Sequence, residues 1–136
     1  MRVLIVEDEP AVALVVEDMA IAEGFEIAGI ARNSAEAIEL APETDIAIID
    51  VRLADGLTGP EIAKQLVERF YVGIVYLTGN PDLIAEMNGL HVILNPPTAR
   101  RVIDGLHQAA ALRSRRMQQP HAPDDPGNAA FRPQGY

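Results

Sequence analysis

The chain has 136 residues, a length that suits one domain with one core. Apolar residues make up 49%, which excludes a disordered chain, and the lack of cysteine excludes a disulfide framework or a thiolate zinc site. Residues 1–113 hold 18 acidic and 8 basic side chains within a total net charge of −9, so the body lacks the basic face that nucleic-acid binding needs and suits a divalent cation or a basic partner.

In chain order, Val3–Val6 is a short apolar run, too brief for a signal peptide or a membrane span, and acidic residues follow at once. A soluble cytoplasmic protein with no membrane partner is expected. Residues 10–23 predict a helix with Val12, Val15, Val16 and Met19 on its inner stripe and Gly24 as its stop. Phe25–Ala31 predicts a second strand, and Ser34 begins a short helix over 35–41. Ile46–Ile49 predicts a third strand. Thr58-Gly-Pro-Glu61 is a capping box opening a helix to about Phe70, with Ile62, Leu66 and Val67 inward. Gly73–Leu77 and Val92–Leu94 predict two more strands, and Asn80-Pro81 can start the helix between them. Thr98 caps a last helix to about Met117, with Val102, Ile103, Leu106 and Ala110 on one face. Beyond it the chain is dense in proline and glycine, which gives a domain over 1–117 and a flexible tail over 118–136.

Near-continuous apolar strands alternating with amphipathic helices predict an α/β fold: a doubly wound parallel sheet with helices on both faces. Ligand sites in such sheets lie beyond the carboxyl ends of the strands. Glu7, Asp8 and Glu9 follow strand 1, Asp50 ends strand 3, Thr78 ends strand 4 and Asn95 ends strand 5. Converging carboxylates repel one another unless a cation sits among them, and magnesium favours one or two carboxylates with waters and phosphate oxygens. Glu7, Asp8 and Asp50 are therefore the candidate metal ligands. Glu9 reads better as a helix-cap acid. Asp50, beside the glycines of VRLADGLTG, could take a phosphoryl group, and the Thr78 hydroxyl could donate to it.

The ordered set "VLIVEDEP" at 3–10, "IIDVRLADGLTG" at 48–59, "VYLTG" at 75–79 and "ILNPP" at 93–97 resembles the receiver domain of bacterial two-component response regulators, stand-alone type. The resemblance implies a flavodoxin-like sheet of order 2-1-3-4-5. It implies that Asp50 accepts phosphate from a histidine kinase or a histidine phosphotransfer protein. Asp8 would bind Mg2+ directly, Glu7 mainly through water, and the main-chain carbonyl of Arg52 would be a further ligand. Thr78 would be the switch hydroxyl. The output would be binding of a downstream protein through the face made by the fourth helix, the fifth strand and the fifth helix. A homodimer is compatible with it. Such a protein signals rather than turns over a substrate, although it assists its own Mg2+-dependent phosphorylation and dephosphorylation. Tyr76-Leu77-Thr78-Gly79 also partly matches the Phe-Ala-Thr-Gly motif of an alphaproteobacterial single-domain subgroup.

Three features depart from that pattern. Asn95 stands where the family has a lysine, and the chain's one lysine, Lys64, falls mid-helix elsewhere. Val92 replaces the usual aromatic switch residue. The 17 positions from Thr78 to Asn95 leave room only for a short or partly unwound fourth helix. An Asn amide still donates hydrogen bonds, but a charge-assisted bond is roughly twice as strong, so a weaker phosphoryl grip is expected. Pro96 keeps the family's X-Pro bond, expected to be cis.

A phosphorylation-independent pseudo-receiver is the competing reading, supported by Asn95 and Val92 and opposed by Glu7, Asp8, Asp50 and Thr78. A haloacid-dehalogenase-type phosphatase would want an aspartate where Arg52 stands, and a dinucleotide binder a glycine-rich turn where EDEPAV stands. His91 and His107 read as strand-edge and helix-face residues. Arg113, Arg115 and Arg116 suit the carboxyl end of the last helix.

Overall fold

The computed structural model describes residues 1–51, 59–78, 91–94 and 98–118. Five strands, β1 (Arg2–Val6), β2 (Glu26–Ala31), β3 (Ile46–Asp50), β4 (Gly73–Thr78) and β5 (His91–Leu94), form one sheet of order β2-β1-β3-β4-β5. Every pairing is parallel, as the near-continuous apolar runs imply. The helices are α1 (Pro10–Ala22), α2 (Ser34–Leu40), α3 (Gly59–Phe70) and α4 (Ala99–Gln118). The label α4 falls on what the sequence presents as the fifth helix. The expected fourth helix after Thr78, the Arg52–Thr58 loop with its Thr58 cap, Asn95 with the Pro96 bond, and the tail from 119 onward lie outside the described residues.

Strand residues alternate between two cores. Leu4, Val6, Ala47, Ile49 and Tyr76 pack with Ile62 and Leu66 of α3 and Ala37 of α2. Val3, Ile5, Ile48, Val75 and Leu77 pack with Ala13, Val16 and Ala20 of α1 and Val102, Leu106 and Ala109 of α4. Each fully buried Leu or Ile contributes about 1.5–3 kcal/mol, so these two layers hold the sheet rigid.

Three local expectations are corrected. Val15 is 44% exposed, and the inner row of α1 is Ala13, Val16 and Ala20, with Val12 and Met19 packed beside it. The cap of α2 is Asn33, whose side chain accepts the Glu36 N–H at 2.9 Å, so Ser34 is already helical. β2 begins one residue late and is an edge strand in which only Ala31 is fully buried. Gly24 does end α1. At φ 98° its N–H donates to Ile21 and that of Phe25 to Ala20, a left-handed cap that an L side chain would strain.

The amino edge of the sheet is tied by Asp45. Its carboxylate accepts the Arg2 N–H at 2.8 Å and pairs with Arg113 of α4 at 3.1 Å, while its carbonyl accepts the Gly73 N–H at 2.9 Å. Arg113 thus serves an ion pair across the fold rather than the helix end alone. His107 of α4 meets Glu23 at 2.9 Å and packs against the Phe25 ring, a helix-face residue as its position in the sequence implies. No helix among the described residues is long and apolar enough to cross a membrane.

Candidate functional site

Three strand ends converge at the carboxyl edge. Val6 pairs with Ile49, so Glu7 and Asp50 follow as the next positions on adjacent strands. The Glu7 N–H extends the ladder by donating to Ala31 at 2.8 Å. Its side chain is held inward, because the Glu9 N–H donates to Glu7 Oε2 at 3.0 Å. Glu9 therefore helps through its backbone, while its side chain is exposed. Asp50 closes β3 in register with Leu77, and the Val51 N–H donates to the Leu77 carbonyl at 3.1 Å. Thr78, 3% exposed, ends β4 one residue further along the same edge.

Glu7, Asp8 and Asp50 each offer a carboxylate oxygen, and these oxygens all lie within 4.8 Å of one another. Asp8 and Asp50 are half-buried, whereas Glu7 is 2% exposed. Glu7 Oε1 is buried with no hydrogen-bond partner. Desolvation, reinforced by the negative charges of Asp50 and Asp8, pushes the Glu7 carboxyl up to about 8, against the opposing hydrogen bond from Glu9. Such a cluster has two ways to relieve its repulsion: to hold a proton on Glu7 or to take a cation. A buried carboxylate oxygen without a donor, beside two more carboxylates, fits a hard divalent ion that seeks oxygen ligands.

Of the residues singled out in the sequence, the fold brings Glu7, Asp8 and Asp50 together and sets Thr78 on the same edge. Arg52 and Asn95 lie outside the described residues.

The sequence reading overlooked the outer face of α1. Leu14 and Ile21 are 55% and 54% exposed, alongside Val15. A recess of about 170 Å³ lies beside the acidic cluster, lined by Glu7, Asp8, Pro10, Ala13, Leu14, Ile30 and Arg32. Residues 7–23 carry six acidic and no basic side chains. The available signal was a helix with apolar residues on more than its sheet-facing side, which leaves some of them without a partner once the inner row is packed.

The chain matches the family described as response regulator receiver domain over residues 3–94. It is similar to the phyllosphere-induced regulator PhyR of Methylorubrum extorquens, 32% identical over 84 residues that span 60% of this chain and 32% of PhyR. It is also similar to the chemotaxis protein CheY of Bacillus subtilis, 25% identical over 114 residues, 79% of this chain and 95% of that one. Among solved structures, the solution structure of the Erythrobacter litoralis PhyR response regulator REC domain aligns with TM-score 0.75 and 26% identity, over 89% of this chain and 95% of that one. The chain thus spans about a third of the PhyR sequence from Methylorubrum extorquens.

Proposed function

Since the chain belongs to the response regulator receiver domain family, we propose that Asp50 accepts a phosphoryl group from a histidine kinase or histidine phosphotransfer protein, within a two-component system in the cytoplasm. The observation that carries this is the convergence of Glu7, Asp8 and Asp50, with a buried Glu7 oxygen that has no donor. In the transfer, an Asp50 carboxylate oxygen forms a bond to phosphorus while the bond from phosphorus to the donor histidine nitrogen breaks, and the leaving imidazole takes up a proton. Asp8 and Glu7 would hold Mg2+ with the main-chain carbonyl of Arg52. The ion would neutralise charge on the phosphoryl oxygens. Thr78 would donate its hydroxyl to one of those oxygens, and Asn95 would offer an amide where a lysine is usual.

The donor protein would dock on Leu14, Val15 and Ile21 of α1, next to the acceptor, using an apolar patch flanked by basic residues that complement the six acidic side chains of residues 7–23. The downstream target would meet the face that includes β5 and α4.

Incubation with Mg2+ and a small phosphodonor such as acetyl phosphate tests the reading. A mass increase of one phosphoryl group on the peptide that contains Asp50, lost with chelator, is expected. An unmodified Asp50 under those conditions contradicts it. One sequence feature favours the second reading, a pseudo-receiver: position 95 lacks the cation that would grip the phosphoryl group.

A further inference from the structure

Gly59 opens α3, and its Cα sits against the backbone that carries Asp50. A Cβ at this position would stand 2.6 Å from the Asp50 carbonyl oxygen, 2.8 Å from Val51 Cα and 3.0 Å from the Val51 carbonyl oxygen. Contacts under 3.0 Å force something to shift, and here every neighbour is backbone rather than the end of a flexible side chain. That backbone is also tied down. The Val51 N–H donates to Leu77 at 3.1 Å, and the Gly59 N–H donates to the Val51 carbonyl at 3.2 Å. Conformational freedom does not explain the residue, because among the described glycines only Gly24 has positive φ. Close approach does.

We propose that Gly59 is a positioning residue for the acceptor. Its missing side chain lets α3 seat on the Asp50–Val51 peptide, and that seat fixes where the Asp50 carboxylate stands relative to Glu7 and Asp8. The inference rests on the reading of Asp50 as a Mg2+-assisted phosphoacceptor. A methyl group at 59 pushes the Asp50–Val51 backbone away and loosens the cluster, as does loss of a group that orients metal ligands elsewhere.

Gly73 supplies a matched comparison. A Cβ there would stand 2.6 Å from the Ala109 carbonyl oxygen, the same nearest backbone approach as at Gly59, but at the start of β4 on the amino edge. The experiment measures Mg2+ affinity for the wild type, Gly59→Ala and Gly73→Ala, each checked for folding by thermal melting. Gly59→Ala is expected to bind Mg2+ about tenfold more weakly than wild type. Gly73→Ala is expected to melt earlier yet keep wild-type affinity. Unchanged affinity in Gly59→Ala, or equal losses in both variants, overturns the inference.

Should Gly59→Ala fail to fold, the wild type decides. Its Gly59 amide resonance is expected to move saturably during a Mg2+ titration while that of Gly73 stays still. A stationary Gly59 amide overturns the inference alone. A wild type that takes up no Mg2+ overturns the proposed function, and this inference with it.

Discussion

Glu7 and Asp50 occupy successive register positions on adjacent parallel strands, and their carboxylates fall in one cluster with Asp8 within 4.8 Å. The register of the two strands brings these carboxylates together. A Glu7 carboxyl shifted toward its protonated form is the consequence. Burial first, then Asp50 and Asp8, raise its pKa from 4.5 to about 8.

Stability should therefore depend on pH. Below about 4.5 Glu7 is protonated in both folded and unfolded chains; between 4.5 and about 8 only the unfolded chain releases the proton. The Glu7 contribution is thus fully present below 4.5 and is lost as pH rises through about 8. In chelator, the melting temperature is expected to drop by several degrees from about pH 5 to about pH 8.5. Glu7→Gln should flatten that drop. Excess Mg2+ should raise the melting temperature most at the alkaline end, where the carboxylates are ionised. A drop in Glu7→Gln equal to that of the wild type would contradict this account.

Asp45 anchors the opposite edge and should affect stability without touching the site. Asp45→Ala removes the partner of Arg113 and of the Arg2 N–H. Denaturant melts should show a loss of about 1–3 kcal/mol, since the Arg113 side chain is only 19% exposed. Mg2+ affinity should stay at the wild-type value.

The strands and the acidic cluster were legible in the sequence, because a buried parallel strand leaves an unbroken apolar run and an acid at its end has few structural uses; the strand order came only from the family resemblance. Less legible was the orientation of α1. Its apolar residues spread well beyond one stripe, so the pattern could not tell Val15 from the alanines that face the sheet. Asn33 and Ser34 are both good cap formers, and residue type alone does not choose between them. The need for glycine at 59 was hidden as well, because close approach depends on backbone 8 and 9 residues upstream in sequence.

Position 95 tests how far a neutral amide replaces a cation. Asn95→Lys restores a charge-assisted bond to the phosphoryl group and should tighten binding of a phosphoryl mimic by about tenfold. Titration of both proteins with beryllofluoride at fixed Mg2+ measures it. Equal affinities would show that the asparagine already suffices.

The outer face of α1 should separate donor recognition from chemistry. Leu14→Asp and Ile21→Asp change exposed side chains, so stability should stay within about 0.5 kcal/mol. Phosphorylation by acetyl phosphate should be unaffected, while transfer from a donor protein should slow at least tenfold. Equal slowing with both donors would place these residues in the chemistry instead.

The central claim is that Asp50 and its acidic neighbours form a Mg2+-dependent phosphoacceptor, and a beryllofluoride titration of the wild type beside Asp50→Ala tests it most directly. Amide spectra of the wild type should change saturably with beryllofluoride only when Mg2+ is present, with the largest shifts at Glu7, Asp8, Val51 and Thr78, and Asp50→Ala should show no such response. A wild-type spectrum unchanged by Mg2+ and beryllofluoride together, or a response that survives in Asp50→Ala, would contradict the account.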